Sequence, residues 1–201
     1  PIDREPIRWL PTIPAPDSPS QLTPIRPREV RDALKQKRPT SAPGEDGVLN
    51  GHLRHFSSTH RFLATLFSKT LLESREPWEG WANSVITLIH KAGETSDPVN
   101  FRPIALTFNI GKLFHQILSN RISDFLIAKS FIDKTTQKAF LSKINGCQDH
   151  NLILREVLNH SRANKKTVHV TWFDLEDAFG SISHDYIPIA LRRMHIPEEI
   201  I

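Results

Sequence analysis

The clearest pattern in the sequence is an apolar stripe of helical period between Asn109 and Lys129. A spacing of three or four residues places apolar side chains on one face of a helix. The residues that follow this spacing are Ile110, Leu113, Phe114, Ile117, Leu118, Ile122, Phe125 and Leu126. The pattern therefore predicts a long amphipathic helix whose apolar face belongs to the core.

Shorter stripes of the same period predict further helices at Arg28–Lys37, His52–Glu73, Gln148–Ala163 and from Pro188 through Met194. In the second of these, the residues predicted to be core are Leu53, Phe56, Leu63, Leu66, Phe67 and Leu71. In the third, the residues predicted to face inward are Ile153, Leu154, Val157 and Leu158. Trp78 and Trp81 follow a break at Pro77 and are predicted to pack beneath the second helix.

Two other stretches have the composition of strands. Ser84–His90 is a nearly continuous apolar run, which predicts a buried strand, and the polar loop 91–100 and FRPIAL (101–106) complete a hairpin with a mobile tip. Pro103 indicates an edge strand or an irregular one. Residues 167–173 alternate in polarity, with β-branched and aromatic side chains, which predicts a further strand. Helices and strands in this order predict an α+β fold.

Composition narrows the possible functions. The chain has 201 residues, a net charge of +4 and one cysteine, Cys147, so a disulfide framework is excluded. Its histidines show no zinc-ligand spacing, and no apolar run is long enough to span a membrane. We therefore expect an intracellular protein, with the nucleus as one candidate compartment, and no membrane partner. The net charge is compatible with a polyanionic ligand but argues for one only weakly.

The ends of the sequence suggest that it is a piece of a longer protein. Residues 1–27 contain eight prolines among polar residues, which is typical of an extended or disordered segment. The chain begins with Pro1 rather than Met and stops just after an apolar helical pattern, and the strand at 167–173 has no obvious partner strand. We expect the missing partner to lie in sequence outside this chain.

Asp174 is the first candidate for chemistry, because it directly follows the predicted strand at 167–173. A carboxylate at the end of a buried strand is held rigidly and still reaches solvent, which suits magnesium, a metal that takes oxygen ligands and substrate phosphates. The alternative is an ordinary acidic turn after a strand.

Basic residues supply the other candidates. Lys91 and Arg102 bracket the tip of the predicted hairpin and either form plain surface charge or bind phosphates together. The basic face of Arg28–Lys37 is either solvated or in contact with phosphate. Lys138 and Lys143 alternate with apolar residues, a pattern that an ordinary loop and a nucleic-acid-binding segment share.

Five stretches, in this order, resemble the reverse transcriptase domain of non-LTR retrotransposons. SAPGEDGV (41–48) resembles the family's Ser-Ala-Pro-Gly-x-Asp-Gly motif, and LIHKAG with NFRPIAL (88–106) its fingers hairpin. NIGKLFHQILSNRI (109–122) resembles the helix that follows, and QKAFLSKINGCQDHN (137–151) the Gln-x-Gly-Phe segment, with Ala139 in place of Gly. FDLEDAFGSISH (173–184) resembles the first palm motif, with Gly180 in place of an Asp that is not a metal ligand in the family.

The resemblance implies a fold and a set of roles. The fold is that of the fingers and part of the palm of a right-hand polymerase, with 1–27 as a lead-in, 28–166 as fingers and 167–201 as the start of the palm. Asp174 and the Leu175 carbonyl are implied ligands of two magnesium ions. Lys91, Arg102, Asp177, Ala178 and Phe179 are implied nucleotide contacts, and Phe179 is the steric gate against a ribose 2′-hydroxyl. Lys138, Lys143 and the loop 41–50 are implied contacts of the template or primer.

The implied partners are an RNA template, a DNA primer and deoxynucleoside triphosphates, whereas the oligomeric state is left open. The sequence contains no Tyr-x-Asp-Asp, the motif that carries the family's second carboxylate pair. We therefore expect this chain to be inactive by itself. Two alternatives are a non-catalytic nucleic-acid-binding module derived from such an element, and a helical protein with no nucleic-acid role.

Overall fold

The computed structural model describes residues 13–18, 20, 22–73, 79–81, 83–139, 141, 146–175 and 180–201. Over these residues the chain forms helices and one pair of strands. In chain order they are α1 (Pro27–Lys35), α2 (Asn50–Arg54), α3 (Ser57–Leu72), β1 (Ser84–His90), β2 (Phe101–Thr107), α4 (Asn109–Ala128), α5 (Gly146–Ala163) and α6 (Tyr186–Arg193). Short 3-10 turns precede each strand, at Glu79–Trp81 and Pro98–Asn100.

Most of the predicted helices are confirmed. α1, α4, α5 and α6 lie where the apolar stripes predicted them, whereas the predicted helix at 52–73 is divided into α2 and α3. The division falls at Phe56, whose backbone is extended (φ −114°, ψ 120°) and whose side chain is 63% exposed. The prediction that Phe56 is core is therefore wrong. Ser57, Ser58 and Thr59 follow it, and such residues favour helix starts over helix interiors.

The described residues form two compact units. The first unit comprises Gln21–Arg121 with Ile200, and the second comprises the described residues up to Ser20, Ile122–Glu199 and Ile201. α4 contributes residues to both units.

The core of the first unit is built on α1, α3 and the first part of α4. Three rings meet inside it: Phe67 of α3, Trp81 of the 3-10 turn and Phe114 of α4 lie with centroids 5.2–5.9 Å apart. Aromatic pairs at such distances stabilise a core beyond the apolar area that they bury. The predicted packing of Trp81 under α3 is therefore confirmed, while Trp78 lies outside the described residues.

The segment before α1 is held in place by one arginine. Arg121 of α4 donates to both carboxylate oxygens of Glu29 (2.7 and 2.9 Å) and to the carbonyls of Thr23 (2.7 Å) and Pro24 (3.1 Å). Ile25 enters the core next to these contacts, which the proline-rich composition did not predict. The Arg121–Glu29 pair therefore fixes the start of α1 on α4.

The environment of Glu29 favours its charged form. Partial burial raises the pKa of Glu29, but the hydrogen bonds from Arg121 and from the Arg26 N–H, together with the Arg121 charge, outweigh that effect. The net result is a pKa below the ordinary value. The carboxylate therefore stabilises the fold at neutral pH, and this contribution is lost as the pH falls through the lowered pKa.

β1 and β2 form an antiparallel hairpin in the register Ser84↔Thr107 to His90↔Phe101. The predicted strand and the edge position of Pro103 are confirmed, because a two-stranded sheet has only edge strands. The predicted burial of β1 is wrong, since all seven of its residues are exposed. Among the described residues no third strand or helix covers the apolar side chains of β1.

The second unit departs most from the predictions. Residues 166–175 contain no strand, and their side chains are exposed, so the predicted strand at 167–173 is wrong for this structure. An isolated strand cannot satisfy its backbone hydrogen bonds, and the described part of the chain offers it no partner. On α5, Leu154 and Leu158 are half-buried, but Ile153 and Val157 are exposed, which corrects their predicted inward orientation.

Replacing Glu29 by Gln tests the role of the Arg121–Glu29 pair. Gln keeps the shape of Glu but loses the charge that strengthens both hydrogen bonds, so Glu29→Gln lowers the free energy of unfolding at pH 7 by about 1–2 kcal/mol. The difference between wild type and variant shrinks as the pH falls through the lowered pKa of Glu29, because the wild-type carboxylate then also loses its charge. Urea unfolding at several pH values measures both effects.

Asp32→Asn is the matched control, because Asp32 lies on the same helix and its ion pairs with Arg28 and Lys35 are solvent-exposed. Water screens such pairs, so this variant loses less stability than Glu29→Gln. Equal losses in the two variants would contradict the structural role of the Arg121–Glu29 pair.

Candidate nucleic-acid interface

Asp174 lies in an exposed segment. Its neighbours Phe173 and Leu175 are 92% and 77% exposed, and within the described residues Asp174 makes no hydrogen bond or ion pair. In the part of the chain that the structure describes, no three His, Cys, Asp or Glu side chains form a group able to hold a metal ion. A two-metal site needs several carboxylates, so the described residues do not by themselves fit the two magnesium ions that the resemblance implies. Asp177, Ala178, Phe179 and Lys143 lie outside the described residues.

The hairpin brings Lys91 and Arg102 onto one of its faces. Arg102 is paired with Ile89, and two positions further along the Lys91 N–H donates to the Asn100 carbonyl at 2.8 Å. Because paired residues share a face, and so do residues two apart on a strand, Lys91 and Arg102 are diagonal neighbours. Both side chains are exposed, and neither has an ion-pair partner among the described residues. The arrangement presents two uncompensated cations to solvent on the same surface.

The loop between the strands is held by its own hydrogen bonds. The Asn100 side chain donates to the Glu94 carbonyl at 2.9 Å, and the Asp97 side chain accepts from the Val99 N–H at 3.0 Å. Gly93 has φ +90°, and a Cβ there would lie 2.8 Å from the Asn100 side chain. These contacts position the end of the hairpin that carries the two cations.

The loop of the Ser-Ala-Pro-Gly motif lies against the start of α4. The backbone at Gly44 approaches Phe108 so closely that a Cβ would lie 2.6 Å from its ring and 2.9 Å from its backbone nitrogen. The Asp46 carboxylate accepts from the Val48 N–H at 3.2 Å, and buried Asn109 donates to the Val48 carbonyl at 2.7 Å. The motif therefore forms a fixed loop.

Lys138 has a partner in the structure. Its Nζ atom lies 3.5 Å from a carboxylate oxygen of Asp149, at the start of α5. The Lys138 side chain is largely buried, and a Cβ on Gly146 would collide with it. Part of the Lys138 charge is therefore compensated within the chain.

Two further cations were not predicted to act together. The Lys37 ammonium donates to the Gln116 side chain at 3.2 Å, and the Lys112 ammonium donates to the Ala42 carbonyl at 3.4 Å. In the sequence, Lys37 is one of several cations on a basic helix, and Lys112 belongs to no candidate motif for binding. No sequence signal reveals this contact, because Lys37 and Gln116 are 79 residues apart and meet only through folding.

Among the described residues, no helix is both long enough and apolar enough to cross a membrane.

Known proteins with similar sequences are polymerases and polyproteins of retrotransposable elements. No protein-family model matches the sequence. The chain is 29% identical over 175 residues to the "Retrovirus-related Pol polyprotein from type-1 retrotransposable element R2" of Popillia japonica, a match that covers 87% of this chain. Two relatives are from Drosophila melanogaster. The chain is 26% identical over 183 residues to the "RNA-directed DNA polymerase from mobile element jockey" and 24% identical over 165 residues to the "Probable RNA-directed DNA polymerase from transposon BS" of that organism.

The matched part is a small share of each relative. It amounts to 23% of the Popillia japonica polyprotein, 19% of the jockey polymerase and 18% of the transposon BS polymerase. The similarity extends along most of this chain and confirms the resemblance that the five ordered motifs indicated. The chain is therefore similar in sequence to the reverse transcriptases, the RNA-directed DNA polymerases, of non-LTR retrotransposons.

Proposed function

We propose that this chain forms the fingers and the beginning of the palm of a right-hand polymerase that copies RNA into DNA. Residues 28–166 are the fingers region, 167–201 begin the palm and 1–27 lead into them. The observation that carries the proposal is the placement of Lys91 and Arg102 on one face of the hairpin without a carboxylate partner among the described residues. The similarity to RNA-directed DNA polymerases supplies the identity of the substrate class.

Lys91 and Arg102 bind the triphosphate of the incoming deoxynucleotide. The planar guanidinium of Arg102 is suited to two parallel hydrogen bonds with phosphate oxygens, and the Lys91 ammonium supplies a point charge beside it. Asp177 and Ala178 line the sugar and phosphates. The Phe179 ring fills the space that a ribose 2′-hydroxyl would need and so favours deoxynucleotides.

Asp174 and the backbone carbonyl of Leu175 would be the magnesium ligands that this chain contributes to a site completed by other carboxylates. Magnesium, when bound in a two-metal site, stabilises the attacking and leaving oxygens of the transferred phosphoryl group. A single carboxylate cannot hold two such ions, and the sequence has no Tyr-x-Asp-Asp to complete the set. The 201-residue chain by itself therefore does not polymerise.

The nucleic-acid partners are an RNA template and a DNA primer. The loop 41–50, Lys138 and Lys143 contact the template or primer. The net charge of +4 favours association with phosphates, and such association weakens as salt increases because bound counterions are released.

Nucleic-acid binding without polymerisation is the first expected outcome. The isolated chain binds a labelled RNA–DNA primer–template, and the logarithm of the binding constant falls with the logarithm of salt concentration with a slope of about −3. Fluorescence anisotropy measures this slope. A primer-extension assay with magnesium and the same protein preparation shows no nucleotide incorporation above background.

Each of the two measurements has an outcome that would contradict a different part of the proposal. Binding that is absent or insensitive to salt would contradict the proposed contacts with template and primer and would favour a helical protein with no nucleic-acid role. Sustained incorporation by the isolated chain would contradict the argument that its single palm carboxylate is insufficient.

Removing the two hairpin cations tests the nucleotide site. NMR titration with a deoxynucleoside triphosphate and magnesium shifts the amide signals at the end of the hairpin, and Lys91→Ala with Arg102→Ala lowers the affinity about tenfold or more, because charge-assisted hydrogen bonds to phosphate are lost.

The control is Arg61→Ala with Lys69→Ala, which removes two exposed cations from α3. This pair of changes leaves the hairpin shifts and the affinity as in the wild type. Equal effects of the two double variants would show that only net charge matters and would rule out a specific triphosphate site.

A further inference from the structure

Lys37 is placed by the end of α1. The guanidinium of Arg54 donates to the carbonyls of Leu34 (2.6 Å) and Lys37 (2.7 Å), one in the last turn of α1 and one just after it. This contact fixes the chain just after α1, and the Lys37 ammonium then reaches the Gln116 side chain on α4. Gln116 is itself held, since it donates to the Asn120 side chain at 3.0 Å.

Lys112 lies one helical turn before Gln116, so the two side chains share a face of α4. Its ammonium donates to the Ala42 carbonyl of the Ser-Ala-Pro-Gly loop. Lys37 and Lys112 therefore approach each other from two elements distant in sequence, beside a loop that Gly44 and Asn109 hold against α4. We call these two residues the lysine pair.

The lysine pair is unfavourable for the protein alone. Partial burial lowers the pKa of Lys37, and the charge of Lys112 lowers it further. Partial burial also lowers the pKa of Lys112, although the charge of Asp46 opposes that effect. Neither ammonium has an ion pair within the described residues, and Asp46 lies beyond ion-pair distance of Lys112. Two partly desolvated like charges gain most from an anion that binds both.

We propose that the lysine pair is a phosphate-binding site that holds the sugar-phosphate backbone of the template RNA. The choice of a polynucleotide rests on the proposed function, whereas the phosphate chemistry follows from the two ammonium groups and their setting. Each lysine keeps N–H groups available beyond its single hydrogen bond to a neutral acceptor. Arg38, which follows Lys37 and is exposed, extends the positive surface.

A purely structural role explains the pair less well. A hydrogen bond to Gln116 or to the Ala42 carbonyl needs no charge, and a neutral amide side chain would avoid the repulsion. Placing two cations together, with no described carboxylate in ion-pair contact, stabilises a bound anion rather than the fold. The pair therefore has the character of a binding site kept at some expense to stability.

The test compares the wild-type chain with Lys37→Gln/Lys112→Gln in binding to single-stranded RNA across a range of salt concentrations. Each lost phosphate contact makes the slope of log binding constant against log salt less negative by about 0.7, so the double variant flattens it by about 1.4. At low salt its affinity falls about tenfold. Its midpoint of thermal unfolding is unchanged or higher, because repulsion has been removed.

Two matched variants make the outcome specific. Arg61→Gln/Lys69→Gln removes the same charge from α3 and leaves the slope within about 0.3 of the wild-type value. Lys37→Arg/Lys112→Arg keeps both charges and retains the wild-type slope. A wild-type slope in Lys37→Gln/Lys112→Gln would overturn the inference and leave the proposed polymerase function standing. Failure of the wild-type chain to bind RNA at all would instead count against that function.

Two further outcomes would also overturn the inference. A lower unfolding midpoint in Lys37→Gln/Lys112→Gln would assign the pair a structural role. A titration with inorganic triphosphate distinguishes the source of the phosphate. Loss of triphosphate binding with RNA binding unchanged would mean that the pair serves a nucleotide and not a polynucleotide, whereas loss of RNA binding with triphosphate binding unchanged supports the proposal.

Discussion

The contact among Phe67, Trp81 and Phe114 is the interaction on which the first unit depends. It joins α3, the turn before β1 and α4, so one aromatic cluster fixes three elements. Gly111 allows α4 to lie close to Trp81, because a Cβ there would be 3.1 Å from the indole ring. In the chain, β1 begins three residues after Trp81 and β2 ends two residues before α4, and the side of α4 away from Phe114 carries Lys112. The cations of the surface are therefore positioned by a core that contains none of them.

Much of the fold could be predicted because helical periodicity directly reports which side of a helix needs burial. The apolar stripe on α4 predicted that Leu113, Phe114 and Ile117 are core residues, and all three are buried in the structure. The same reasoning failed where burial depends on a partner. The alternating pattern at 167–173 describes side chains suited to a sheet, but a strand forms only when another strand pairs with it. A pattern of polar and apolar residues shows which side chains need to be buried, but it does not show whether the chain contains an element that buries them.

Some residues of the candidate site could also be predicted from local sequence, and others could not. Lys91 and Arg102 could be predicted because a hairpin is a local structure, in which the residues on either side of the loop meet where the two strands pair. Asp174 was singled out by its place after the predicted strand, yet its setting could not be foreseen, since that strand is absent from the structure. The lysine pair could not be found at all. It depends on the exact meeting of the end of α1 with α4, which no local pattern encodes.

The two-stranded sheet of β1 and β2 leaves one edge of each strand unpaired, and this affects how the polypeptide behaves in solution. Unpaired strand edges with apolar faces act as templates for strand addition by another chain, so self-association increases with concentration. Pro103 has no N–H to donate, which interrupts such pairing along one strand, and the charges of Lys91 and Arg102 repel a second copy arriving in register. High salt screens that repulsion. Colloidal stability of the chain is thus tied to the same two cations that we propose as the triphosphate site.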